Sequence, residues 1–157
     1  MNEALREAEK ASLEGEVPVG AVLADEAGEI VSSAHNRTLS LQDPTAHAEM
    51  LTLRIAAARY GNYRLTGTTL VVTVEPCLMC MGAALNARVS RLVFGAADPK
   101  GGAAGSLYDV SRDSRLNHRI EVVSGVMEQE CARLMQEFFR RRRGDRGQHP
   151  GHEKVHG

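Results

Sequence analysis

TTLVVTVEPCLMCMGAALNARVSRLVF, residues 68–94, holds the alternation on which the fold turns. Residues 68–74 are β-branched and apolar, the composition of a buried strand. Residues 78–88 follow with helix formers, and residues 92–94 return to a short strand. Upstream, residues 46–60 (AHAEMLTLRIAAARY) predict a helix with an apolar stripe through Met50, Leu53 and Ala57, ended by Gly61 and Asn62. Residues 19–24 and 29–34 flank the turn DEAG and read as a β-hairpin. Residues 2–14 place Leu5, Ala8 and Leu13 near helical spacing among charges, and Gly15 stands where that helix would stop. This first helix has almost no lead-in, as in a short or trimmed terminus. Downstream, the Gly-rich residues 95–106 predict a long ordered loop. Residues 120–123 read as a last strand and residues 127–143 as a last helix with Leu134 and Phe138 turned inward. Helices alternating with strands predict a layered α/β domain, helices packed on a sheet, and exclude all-α and all-β folds.

The 157 residues suit one domain over residues 1–143, followed by a nearly apolar-free tail, 144–157, expected to be disordered. Hydrophobic residues at 43% and charged residues at 25% are ordinary for a folded globular chain. No apolar run approaches the roughly 20 residues of a membrane span, and residues 1–12 are too charged for a secretory signal, so a cytoplasmic protein away from membranes is expected. A net charge of −1 argues against a generally basic coat for nucleic acid while leaving room for a local basic patch. Three cysteines without an export signal favour metal or catalytic use over disulfides.

The chemistry gathers in His47-Ala48-Glu49 and in Pro76-Cys77 with Cys80 three residues on. Each piece alone is weak, since single histidines and Cys-x-x-Cys pairs are often merely packed or redox-active. Together they offer two sulfurs on one helical face, in a first turn whose dipole favours thiolate, and one imidazole. That set suits Zn²⁺ with a fourth position open to water, the ligand count of a catalytic site. Cys131 is expected in the core, and His35 and His118 remain minority candidates for a fourth ligand. Glu49 is expected to share the site only if His47 lies at the helix margin, because residues i and i+2 in a helix point about 200° apart. Otherwise Glu49 is a first-turn acid complementing the helix dipole. Phe138 and Phe139 followed by Arg140 to Arg143 combine stacking faces with positive charge, as single-stranded nucleic acid requires. One phenylalanine is expected in the core, and a charge run is more often a solvated face. The tail histidines His149, His152 and His156 are expected to be inert.

The pattern His-x-Glu with Pro-Cys-x-x-Cys resembles the signature of zinc-dependent nucleobase deaminases. Beyond it, EVPVGAV (16–22), DPTAHAE (43–49), NYRL (62–65), EPCLMCMGA (75–83), FGAADPKGGAAGS (94–106) and NHR (117–119) make the chain similar to the bacterial tRNA-specific adenosine deaminases, within the cytidine and deoxycytidylate deaminase superfamily. The resemblance implies a three-layer fold with a five-stranded mixed sheet flanked by helices, one Zn²⁺ per chain held by His47, Cys77 and Cys80, and a homodimer. It implies hydrolytic conversion of the wobble adenosine of tRNA to inosine, with Glu49 moving protons, Asn36 and the main chain at Ala48 holding the flipped base, and Asp98 and Lys100 beside the anticodon loop. Phe139, Arg141 and Arg142 are the further candidates for contact with the anticodon stem-loop, and DNA is not an expected partner. Two rivals stand beside this reading: a deaminase of a free base or nucleoside, such as guanine or cytosine, and a zinc-stabilised RNA-binding or scaffold protein without turnover. Glu49 separates the last from the enzymes, since a purely structural metal site has no use for a carboxylate beside it.

Overall fold

The computed structural model describes residues 1–147. Their elements run α1 (Asn2–Leu13), β1 (Gly20–Ala24), β2 (Ile30–His35), α2 (Ala48–Tyr60), β3 (Thr69–Val74), α3 (Leu78–Asn86), β4 (Arg91–Ala96), β5 (Glu121–Val123) and α4 (Glu128–Gly147). The strands form one mixed sheet in the order β2-β1-β3-β4-β5. β1 pairs antiparallel with β2 and with β3, whereas β3, β4 and β5 run parallel. The expected α/β class and five-stranded mixed sheet are both present, and β3, α3 and β4 are the strand, helix and strand of residues 68–94.

Period 2 sends alternate strand residues to opposite faces. Ala21, Leu23, Leu70, Val72, Leu92 and Phe94 pack in one cluster with Ala48, Leu53 and Ala56 of α2 and Met81, Ala84 and Leu85 of α3. α1 and α4 touch each other and the sheet, with α1 over β1 and β2 and α4 over β4. At the second contact Cys131 Sγ occupies the space a Cβ on Gly95 would take, so Cys131 fills the core as expected.

Three expectations need correction. α1 does not bury Leu5 and Leu13: its inward face is Ala4, Glu7, Ala8 and Ala11, and Leu13 is 89% exposed. Small side chains bring the helix close to the sheet, and the buried Glu7 carboxylate accepts from Lys10 Nζ (2.9 Å), pairs with His35 Nδ1 (2.9 Å) and meets Ser33 Oγ (3.4 Å). α2 likewise buries Ala48, Glu49, Thr52, Leu53 and Ala56 in place of a stripe through Met50 and Ala57. The helix starts two residues later than expected, at Ala48, with His47 as its N-cap. The last helix does not stop at Arg143. α4 continues through Gly147, four residues past the expected end of the helix. Its exposed end carries a bond from Arg141 Nε to the Glu137 carbonyl (3.4 Å) one turn back. His149, His152 and His156 lie outside the described residues.

Candidate zinc and substrate site

The β2–α2 connection delivers His47 and Glu49. Asp43 Oδ1 accepts from Thr45 N–H (2.8 Å) and Thr45 Oγ1 (2.7 Å), a turn that halts the helix short of Thr45. Buried Glu16 steadies the same connection by accepting from the N–H groups of Leu39 (2.8 Å) and Ser40 (3.0 Å). His47 therefore has extended backbone, with φ −71° and ψ 151°, and Glu49 stands in the first helical turn. That is the margin geometry in which both side chains reach one site.

β3 ends at Val74, Pro76 separates it from α3, and Cys77 is the N-cap of α3 with Cys80 in its first turn. His47 Nδ1 lies 3.6 Å from Cys77 Sγ and 3.5 Å from Cys80 Sγ. Two ligands on one tetrahedral zinc, with bonds of about 2.0–2.1 Å to nitrogen and 2.3 Å to sulfur, stand about 3.6 Å apart. His47, Cys77 and Cys80 thus fit Zn²⁺ in chemistry and in spacing, and among the described residues they are the one His/Cys/Asp/Glu group close enough to hold an ion. His35 is instead engaged by Glu7 and Glu14, and His118 donates to the Val89 carbonyl (2.7 Å), so neither joins the group.

Cys80 Sγ also donates to Glu49 Oε2 (3.2 Å), which puts the carboxylate against the ligand set. Burial pushes the Glu49 carboxyl above its ordinary range. A hydrogen bond with Cys77 raises His47 against the opposing effect of burial. Hydrogen bonds from Cys80 and His47 hold Cys77 toward thiolate, while its bond to Cys77 and its burial push Cys80 toward thiol.

In front of these groups lies a cavity of about 300 Å³, lined among others by Asn36, His47, Glu49, Cys77, Asp98 and Met135. Asn36 follows β2 and is 7% exposed, its N–H fixed by the Val19 carbonyl (3.0 Å). Ala48 is fully buried at the first helical position. Asp98 and Met135 also line a wider groove of about 820 Å³, with Lys100, Phe139, Arg140 and Arg143 among its other walls. Of the two phenylalanines Phe138 is core and Phe139 is 41% exposed, as expected of the pair.

Arg141 and Arg142 are elsewhere. Arg141 Nη2 lies against Ser12 Oγ (3.4 Å) on α1, and the Arg142 guanidinium stacks over the Phe138 ring, 5.3 Å from its centre. The reason is helical: Ala132, Gln136, Phe139 and Arg143 recur every three to four residues along one stripe, and positions 141 and 142 fall off it. Arg140, part of the basic run named from the sequence, does line the groove. Sequence reasoning missed Met135, which that same period, counted back from Phe139, would have found. It also missed Glu75, a carboxylate buried directly before Pro76. The only local sign of Glu75 is an acid ending a β-branched strand.

Residues 1–96 match the family described as the cytidine and deoxycytidylate deaminase zinc-binding region. The chain is 51% identical over 140 residues to a tRNA-specific adenosine deaminase of Bacillus subtilis, covering 89% of this chain and 86% of that one. It is 49% identical over 146 residues to the tRNA-specific adenosine deaminase of Haemophilus influenzae, covering 93% and 84%. A solved structure from work on A-to-I editing by tRNA:A34 deaminases superposes with a TM-score of 0.80 at 43% identity, covering 85% of this chain and 96% of that one. Guanine deaminase from Nitrosomonas europaea shares the fold, with a TM-score of 0.75 at 23% identity and coverage of 87% and 81%.

Proposed function

This chain belongs to the cytidine and deoxycytidylate deaminase zinc-binding family, and from that premise we propose that it hydrolyses the wobble adenosine of tRNA to inosine, releasing ammonia. The observation that carries the reading is the three-donor group with Glu49 beside it, at the floor of a cavity that opens into a groove walled by Lys100, Phe139, Arg140 and Arg143. A free-base deaminase needs the cavity but has no use for the groove. The scaffold reading has no use for Glu49.

His47, Cys77 and Cys80 would hold the metal. Zinc bound by such a set supplies Lewis acidity and brings the pKa of a coordinated water toward neutrality. The chain's own residues do the rest. Glu49 takes the proton of the attacking water as the ring carbon bearing the amino group is attacked, then returns protons to the ring nitrogen and to the departing ammonia. Asn36, its backbone pinned to Val19, hydrogen-bonds the base, and the main chain at Ala48 orients it. The adenine must leave the anticodon stack to enter, and the walls of the cavity exclude bulk water behind it. Asp98, Lys100 and Phe139 hold the flanking nucleotides, with Arg140 and Arg143 on the same stripe in place of Arg141 and Arg142.

The protein acts as a homodimer in the cytoplasm. The apolar residues Met81, Ala84 and Leu85 of α3 fill the chain's own core and offer no surface for association. The surface that supports it is Leu78 and Leu116, both more than 40% exposed, around a cavity of about 350 Å³ floored by Leu85 and Val110. No described helix is long and apolar enough to cross a membrane.

The test is to incubate the protein with an anticodon stem-loop and, separately, with free adenosine, guanine and cytosine, assaying inosine and ammonia. Inosine from the stem-loop is expected. Turnover confined to a free base would replace this reading with the guanine or cytosine type.

A further inference from the structure

Glu75 is buried at 3% exposure, and its carboxylate is the meeting point of an entire loop. It accepts from the N–H groups of Asp98 (3.1 Å), Ala104 (3.1 Å) and Ser106 (3.0 Å), and from the Ser106 hydroxyl. Its own N–H donates to the Ala96 carbonyl (2.8 Å), and the adjacent Pro76 carbonyl accepts from Ala103 N–H (2.8 Å). Gly102 passes so close that a Cβ there would stand 2.3 Å from the carboxylate, so only glycine lets the backbone through. The first residue after this anchorage is Cys77. A single side chain therefore ties the loop carrying Asp98 and Lys100 to the turn carrying the metal donors. Asp98 Oδ1 in turn accepts from Lys100 N–H (3.1 Å) and Gly101 N–H (3.3 Å), so the position of Lys100 follows from that of Asp98.

We propose that Glu75 is a positioning residue for substrate: it sets the distance between the metal donors and the outer groove by fixing the 97–106 loop, and so governs affinity for the nucleotides flanking the target without entering the chemical step. The inference rests on the reading of the site as an RNA-directed deaminase. Four donors converge on an acceptor-only group, and a glutamine in its place offers one acceptor oxygen and turns an NH₂ toward N–H groups. The loop must then move away from β3, taking Asp98 and Lys100 with it.

The experiment compares wild type with Glu75→Gln, Ser106→Ala and Lys100→Ala, all zinc-loaded. Glu75→Gln is expected to keep about one zinc per chain, to speed amide exchange in residues 98–106 and to raise KM for the anticodon stem-loop at least about tenfold, the scale of lost hydrogen bonds to a charged group, with kcat nearly unchanged. Because Glu75 acts through the loop, Lys100→Ala should weaken stem-loop binding less in the Glu75→Gln background than in wild type. Glu75→Asp, which restores the acceptors on a shorter arm, should recover part of the loss. Ser106→Ala removes one donor on the exposed side of the loop, so it reports the same effects at smaller amplitude if Glu75→Gln does not fold. Zinc loss or a fall in kcat at constant KM would show a merely structural residue and overturn the proposal. So would unchanged exchange in residues 98–106, or full additivity with Lys100→Ala. A wild-type chain inert toward the stem-loop would sink the functional reading instead, and the exchange comparison would still decide whether Glu75 holds the loop.

Discussion

Glu49 and His47 share a site only because the backbone changes from extended to helical between them. That geometry separates their roles, since Glu49 touches Cys80 but His47 approaches both sulfurs. Glu49→Ala is therefore expected to keep stoichiometric zinc by metal analysis while single-turnover deamination falls about 10²–10⁴-fold, the span of a lost general acid–base. Cys77→Ala and Cys80→Ala should lose the zinc itself. Full metal content in either cysteine variant would break the ligand assignment. These residues were legible in the sequence because zinc chemistry constrains both residue type and spacing. Glu16 and Glu75 were not, because their partners are backbone amides some 23 to 31 positions away, which any residue type can supply.

Among the elements, α4 presents its residues by period, not by composition. The run Arg140 to Arg143 looks uniform in sequence, yet only Arg140 and Arg143 line the groove. Arg140→Ala with Arg143→Ala should weaken stem-loop binding and flatten its salt dependence by about 0.7 per lost phosphate contact. Arg141→Ala with Arg142→Ala should leave that slope in place. Fluorescence anisotropy across a salt series checks both pairs, and equal slopes in the two double variants would return the whole run to a solvated face.

The seat of α1 carries a pH dependence. Burial pushes the Glu7 carboxyl up, but hydrogen bonds from Lys10 and His35, with their charges, outweigh it and hold it below the usual 4.5. A depressed folded-state pKa gives stability that is full above the unfolded value and is lost as pH falls through the folded one. Glu7→Gln should thus cost about 1–3 kcal/mol near pH 7 and progressively less as the pH falls through the folded-state pKa, compared by urea unfolding. A difference that does not shrink on acidification would contradict this account. Sequence periodicity placed α1 but misread its inward face, because it credits leucine over alanine. What decided the matter was how closely the helix could approach the sheet.

For the whole molecule, exposed Leu78 and Leu116 predict association. Sedimentation at micromolar concentration should give twice the 17.0 kDa chain mass, and Leu116→Glu should give the single chain. A wild-type protein found only at 17.0 kDa would count against the dimer. The larger architecture was legible because strand and helix alternate with clear breaks, as at Gly61, whose left-handed φ of 61° closes α2.

The metal donors and Glu49 lie between residues 47 and 80, within the span that matches the family, whereas Lys100, Phe139, Arg140 and Arg143 all come after residue 96. On the proposed reading, reactivity and address are thus written in successive stretches of one chain. Point changes in the later stretch would then alter which nucleic acid is held while leaving the reactive centre intact.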